Sequence, residues 1–301
     1  MTLLIGSIQL GLLYAIMALG IYITFRILNV PDLTVDGSFS LGMACAAVIT
    51  VAGYPFLALL VAMIAGALAG FSTGLLQTKL SIHPILSGIL VMTGLYTVNL
   101  GIMGGRANLS VVGSETLFMK AESIIVSQNG LGRTFLALLA CIVIIGILSI
   151  VFKTRFGLTI RATGDNEEMV RSSSINANTS KCVGLAMGNA CVALSGALIC
   201  QYQMFSDVGS GSGMVVIGLA SVIIGETLFG RRSVTFGLIS SAVGSIIYRI
   251  IIAFALKIDL FPSYALKLVS AVIVAVALSV PSIKASIEQS KKRREATNRL
   301  S

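Results

Sequence analysis

The chain has 301 residues, 56% of them hydrophobic and only 11% charged, with a formal net charge of +9. A soluble domain carries roughly a quarter charged residues, so this composition, with a mean hydropathy of +0.97, excludes an ordinary soluble core. The basic residues flank apolar runs or cluster near the C-terminus, which excludes a nucleic-acid surface and matches the orientation signals of membrane helices.

The apolar runs predict about nine helical spans, with eight and ten as the bounds. In chain order they lie near 3–25, 39–53, 55–77, 85–103, 133–152, 181–203, 213–230, 233–256 and 263–280. The runs are continuous rather than alternating, so the fold class is an all-α polytopic transmembrane bundle and not a barrel. The first run is full length and lacks a basic leader, unlike a cleavable signal peptide. Residues 1–280 read as a single transmembrane domain, and 281–301 as a basic cytoplasmic tail. Lys and Arg asymmetry places Arg26, Lys79, the 153–181 segment, Arg231, Arg232 and the tail inside. The N-terminus then lies outside and the C-terminus in the cytoplasm.

The first polar interruption is Asn29–Phe39, which holds Pro31, Asp32, Thr34, Asp36, Gly37 and Ser38. Pro31 prevents a continuous helix, and Asp36-Gly37-Ser38 reads as a break with a cap for the next helix. Ionisable groups at membrane depth are costly and usually functional. Buried there, Asp32 and Asp36 border a permeation path; in a plain loop, Asp36 only caps.

Glycine spacing marks close packing. Gly66, Gly70 and Gly74 form a ridge on the third span, and Gly184 and Gly188 repeat the spacing on the sixth. The 104–132 segment is a mixed external loop with room for a small amphipathic element. The longest polar stretch is Lys153–Lys181, between two apolar runs. Arg161-Ala-Thr-Gly-Asp-Asn166, then Glu167 and Glu168, has helix-start features, with Asp165 or Asn166 as the cap. A short amphipathic helix held by two spans suits a groove on a soluble partner. Ser206-Asp207-Val-Gly-Ser-Gly-Ser-Gly213 is a glycine-rich approach to a helix. It reads as an anion-binding turn or as a flexible connection.

Asp36 and Gly42-Met43 recur as Asp207 and Gly213-Met214 at an offset of 171 residues. The same shift lays the first four spans over the last four, about a linking span at 133–152. Halves joined in this way have opposite orientations, the plan of many transporters. The five cysteines all lie in or beside apolar spans and read as packing residues. The lone histidine, His83, cannot build a metal site. Gln9, Asn99 and Asn189 are polar groups within spans that line a path or bridge helices.

FGLTIRATGDNEEMVRSSSIN resembles the cytoplasmic coupling loop of bacterial ABC-importer permeases of the branched-chain amino acid and ribose permease family. The matching positions are Gly157, Arg161, Ala162, Gly164, Asp165, Asn166 and Ile175-Asn176, with Glu167 following. PDLTVDGSF resembles a second family segment through Asp32, Leu33, Thr34, Val35, Gly37 and Ser38, with Asp36 inserted, and its wording is nearest to the tryptophan/tyrosine-type branch. IGLASVIIGETLFGRRS resembles a third through Gly225, Gly230 and Arg231, but Glu226 stands where the family has glycine.

The resemblance implies a homodimeric permease in the bacterial cytoplasmic membrane. It implies two ATP-binding subunits below and an extracytoplasmic substrate-binding protein above. The coupling residues are then Gly157, Arg161, Ala162, Gly164, Asp165, Asn166 and Glu167. The path residues are Asp32, Thr34, Asp36, Gly37, Ser38 and Asp207. No GxxxxGK[ST] loop occurs in the chain, so ATP and Mg belong to the partner subunit and this chain holds no cofactor or metal. The expected role is inward movement of a small polar solute, an amino acid or related molecule. The alternative is an ion-coupled secondary transporter or channel using Asp32, Asp36 or Arg249. An intramembrane enzyme is disfavoured, since neither HExxH nor GxSG occurs.

Overall fold

A computed structural model describes residues 2–124, 131–173, 175–230 and 233–257, with scattered residues between 268 and 279. Eleven α-helices lie among them: α1 Thr2–Ile21, α2 Thr34–Val51, α3 Pro55–Lys79, α4 Pro84–Ile102, α5 Leu117–Ile124, α6 Leu131–Val151, α7 Arg155–Asp165, α8 Glu167–Ser172, α9 Ala177–Gln203, α10 Met214–Phe229 and α11 Val234–Lys257. A π-helical turn, Tyr22–Ile27, extends α1, and a 3-10 turn, Val208–Gly211, precedes α10. Two short strands, β1 Asn108–Ser110 and β2 Phe205–Asp207, pair antiparallel. Eight of the described helical segments are long and apolar enough to cross a membrane, so the all-α polytopic bundle is met. The predicted span at 263–280, the tail at 281–301, and Arg231 and Arg232 fall outside the described residues, apart from the scattered positions.

Local chemistry sets the helix starts. Pro55 and Pro84 stand at the first turns of α3 and α4, where the missing N–H costs nothing. Thr154 and Asn166 cap α7 and α8 through their side chains, accepting from the Gly157 and Met169 N–H groups.

The interior is built around α9, which packs on α1, α2 and α3. The glycine ridge of α3 explains the closest of these contacts. A Cβ at Gly70 would collide with the Leu185 carbonyl, and one at Gly66 with the Ala193 Cβ. Large apolar residues at Phe56, Leu60, Ile64 and Leu68 repeat every four residues and are exposed. They lie two positions from the glycine register, so they point to the opposite side of the helix. One side of α3 is thus cut for a neighbouring backbone and the other for lipid. Gly184 and Gly188 of α9 face the end of α1, against Leu28 and Thr24.

The packing repeats across the two halves. A shift of 171 residues carries α1 onto α9, α2 onto the 3-10 turn and α10, and α3 onto α11. Correspondingly, α1 packs on α11 as α9 packs on α3, and α2 joins α3 as α10 joins α11. β1 and β2 bring the 104–117 connection to the end of α9, so both lie on one face of the bundle. In that connection the expected amphipathic element forms as α5, whose buried Phe118 meets Tyr202 edge-on at 5.5 Å. The opposite face carries the end of α1, α7 and α8.

One local expectation is corrected. Asp36-Gly37-Ser38 is not a break, because α2 begins at Thr34 and runs through it. The turn is made earlier, where the Asp32 carboxylate accepts the Thr34 N–H at 2.9 Å. The helix start expected at Asp165 or Asn166 is found at Asn166, with Glu167 and Glu168 in the first turn of α8, while Arg161–Asp165 before it ends α7.

Candidate functional site

α10 has 16 residues. At about 1.5 Å per residue that is shorter than the ~30 Å hydrocarbon core. It is completed by an approach through residues 204–213 that is not α-helical and holds β2 and the 3-10 turn. α2, with 18 residues, is likewise preceded by the non-helical stretch 28–33. Helix interruptions at membrane depth persist only where their backbone is satisfied inside the protein. Both starts meet this demand, through acidic side chains.

At the start of α2, Asp32 is 6% exposed. Besides the Thr34 N–H, it accepts from Asn189 Nδ2 at 2.6 Å. Asn189 Oδ1 accepts from the Ser38 hydroxyl at 2.7 Å, and Nδ2 also donates to the Leu185 carbonyl. The Thr34 and Thr73 hydroxyls share a hydrogen bond of 2.7 Å. These five side chains tie α2 to α3 and α9, and all are buried.

At the start of α10, the capping acid comes from the other half. The Asp36 carboxylate accepts the Gly213 and Val215 N–H groups, both at 2.9 Å. Gly213 sits at φ +88°, a conformation that favours glycine. The Ser40 hydroxyl donates to the Val208 carbonyl and accepts the Gly211 N–H. A Cβ at Gly211 would strike the Asp36 carbonyl, so the turn lies directly on α2. The anion that the glycine-rich turn was expected to bind is therefore one of the chain's own carboxylates. Asp207 caps the 3-10 turn through the Gly209 N–H at 2.5 Å. Beside this junction a cavity of about 310 Å³ opens between α2, α4 and the 208–212 turn, with Asp36, Gly37, Tyr96 and Asn99 in its wall.

The opposite face carries α7 and α8. Gly157 is buried against Val151 and Phe152, and a Cβ at Gly164 would collide with the Ile27 carbonyl at the end of the π-helical turn. Arg161, Asp165, Asn166 and Glu168 are exposed, as are Phe156, Leu158 and Met169. Burial works against ionisation of Glu167, but Lys181 and Arg171 outweigh it and hold the carboxyl below its ordinary range. The π-helical turn also presents Arg26, which pairs with Glu226 of α10; the Glu226 side chain is only 8% exposed. A cavity of about 360 Å³ lies between that pair and Arg161 and Asp165. Turns of π-helix often mark functional sites.

The profile of the family described as "Branched-chain amino acid transport system / permease component" matches residues 3–277. The chain belongs to this family. The permease is 38% identical over 287 residues to a tyrosine transport system permease protein of Clostridioides difficile, covering 95% of this chain and 94% of that one. It is 29% identical over 251 residues to an autoinducer 2 import system permease protein of Yersinia pestis, covering 80% and 66%. It is 27% identical over 226 residues to a galactofuranose transporter permease protein of Escherichia coli, covering 72% and 61%. No solved structure matches significantly. The resemblance to branched-chain amino acid and ribose-type permeases is thereby met, and the permease is a multi-pass membrane protein of a transport system.

The predicted residues fall into three groups in the permease. Asp32, Thr34 and Ser38 come together with Asn189 in a closed cluster. Asp36 and Gly37 lie at the second helix start, and Asp207 caps the 3-10 turn that leads to it. Gly157, Arg161, Ala162, Gly164, Asp165, Asn166 and Glu167 share the far face, with the two glycines turned inward and the charged residues outward. Sequence reasoning missed the Arg26–Glu226 pair. Its signal was present as an acidic residue at a position where the family carries glycine, with a basic residue at the end of another span.

Proposed function

We propose that the permease is the membrane subunit of a bacterial ABC importer, moving a small polar solute inward while a separate subunit hydrolyses ATP. The observation that carries this reading is the two-sided build of α7 and α8. Their outer side offers charges and apolar side chains for a partner. Their inner side rests through Gly164 on the turn that bears Arg26. Packed interiors transmit strain, so a push on α7 has a stiff route to the Arg26–Glu226 pair and α10.

On this reading the α7–α8 face is cytoplasmic, the N-terminal end of α1 lies outside, and the tail 281–301 is cytoplasmic. The permease acts with a second copy of itself, with ATP-binding subunits on the α7–α8 face, and with an extracytoplasmic substrate-binding protein on the β1–β2 face. ATP and Mg bind the partner subunit. An amino acid is favoured as solute because the tyrosine permease has the highest identity of the three relatives compared above.

The test exchanges the exposed charges of the coupling face. Arg161→Glu with Asp165→Lys leaves the membrane-inserted level unchanged and lowers ATP-driven uptake below about a tenth of wild type, since charge reversal across a docking surface makes like charges face each other. Co-purification of the ATP-binding subunit falls in parallel. Full coupling in that double variant removes the docking assignment. Uptake by the lone chain without an ATPase favours an ion-coupled carrier instead.

A further inference from the structure

The cavity between α2, α4 and the 208–212 turn has a lining with a definite chemical bias. Its volume of about 310 Å³ falls at the lower end of small-molecule pockets, ~300–1,000 Å³. Two acceptors in its wall have unused capacity. Asn99 is 1% exposed and donates Nδ2 weakly to the Gly37 carbonyl at 3.4 Å. Its Oδ1 has no hydrogen-bond partner among the described residues. Each Asp36 oxygen accepts one backbone N–H, and a carboxylate has sites for about four bonds. Neither Lys nor Arg lines the cavity, and the N–H groups at the start of α10 are already held by Asp36. The side-chain donors in the lining are hydroxyls and the Asn99 amide, with no cation to balance a carboxylate or phosphate and with the Asp36 carboxylate to repel one. The remaining wall includes the half-buried Met92 and the exposed Tyr96, an apolar and aromatic surface.

We infer that this cavity is a subsite for a protonated amine joined to an apolar or aromatic body. The ammonium group donates to Asn99 Oδ1 and to a free lone pair of Asp36, and the body lies against Tyr96 and Met92. Tyr96 adds the attraction of an aromatic face for a cation. A carboxylate on the same solute points away from Asp36, out of the pocket. The site rests on the importer reading for its place on the path, and it names the chemical end of the solute that the permease recognises. It also gives Asp36 two tasks: capping α10 from one side and meeting the solute from the other. Binding there would load the junction between the two halves.

The test uses the full chain in lipid nanodiscs. All five native cysteines are buried, so Thr93→Cys places a single accessible reporter in the cavity wall. Maleimide labelling of that cysteine is followed with three probes: L-tyrosine, tyramine, and 3-(4-hydroxyphenyl)propionate, which lacks the amine. Tyrosine and tyramine are expected to protect the cysteine, and the acid is not. Adding Asn99→Leu is expected to raise the half-protecting tyramine concentration about tenfold. Asn99→Asp, which keeps the shape and adds charge, is expected to lower it, and this arm stands even if the leucine variant folds poorly. Equal protection by the acid, no protection by either amine, or protection indifferent to Asn99→Asp would each overturn the site. ATP-driven uptake of L-tyrosine in the reconstituted complex is scored separately. Protection without uptake overturns the importer reading and keeps the subsite; uptake without protection does the reverse.

Discussion

The starts of α2 and α10 solve the same problem in different ways. Each is a helix beginning inside a membrane bundle, and each has an acidic residue at hand. At α2 the acid is local: Asp32 accepts from Thr34 and Asn189 and is sealed among α2, α3 and α9. At α10 the acid is borrowed: Asp36 reaches across from α2, takes two N–H groups, and remains in the wall of a cavity. Each carboxylate accepts two hydrogen bonds, one on each oxygen; what differs is access, since Asp32 is buried among three helices and Asp36 borders a cavity. A buried polar cluster held among packed helices rigidifies its surroundings, whereas a charge at the edge of an internal cavity is where a solute or a moving helix can act. The two halves repeat in packing, but the repeat does not extend to roles. Asp207, the counterpart of Asp36 by the 171-residue shift, caps its own turn and not a helix of the other half.

The sharpest way to break this contrast is on the closed side. Asn189→Leu keeps the branched shape of the side chain and strips the Asp32 carboxylate of a 2.6 Å donor. Leaving a buried acceptor short of its donor costs about 1–3 kcal/mol, and more for a charged group, so the variant should show the largest loss of detergent-solubilised thermal stability. Asp32→Leu with Asn189→Leu removes both members and should recover a good part of it, because an apolar pair of the same shape is nearly neutral. If the double variant is no better than Asn189→Leu, the cluster is not a closed structural unit and Asp32 takes part in transport.

Asp36 comes next in size, and here stability and function should separate. Asp36→Ala removes a cap, worth ~0.5–2 kcal/mol, and should lower ATP-driven uptake far more than it lowers the amount of folded protein. Asp36→Asn keeps an acceptor for one of the two N–H groups and should recover stability without recovering uptake. Normal uptake in both variants would make Asp36 a cap and nothing more, and the contrast with Asp32 would vanish.

These differences also mark how far the sequence can be read. The bundle was legible because long apolar runs have one solution in a bilayer, and the α3 ridge was legible because glycines four apart fall on one side of a helix. The polar segment that forms α7 and α8 was legible through its run of charges between spans. What the pattern hid was partnership at long range. Asp36 looks like the cap of its own helix, since Asp-Gly-Ser ordinarily reads so, yet its carboxylate serves a backbone 177 positions away at Gly213. Arg26 and Glu226 are separated by 200 positions and share no local motif. Asn189 could be marked as a polar group in a span, but only the approach of α3 and α9 through Gly70 shows that it faces Asp32 and not lipid.

Asp207 gives the smallest effect and refines the comparison most finely. It is part of β2, opposite Asn108, and in the turn it accepts the Gly209 N–H. Asp207→Ala should cost about 1 kcal/mol, the usual worth of a cap, and leave ATP-driven uptake within about twofold of wild type, since twofold is less than half a kcal/mol. Measured beside Asp36→Ala under the same conditions, it asks whether two acids in matched positions of the two halves share a role. A loss of uptake at Asp207 as deep as at Asp36 would mean that the path runs past both, and that the second half is as open to the solute as the first.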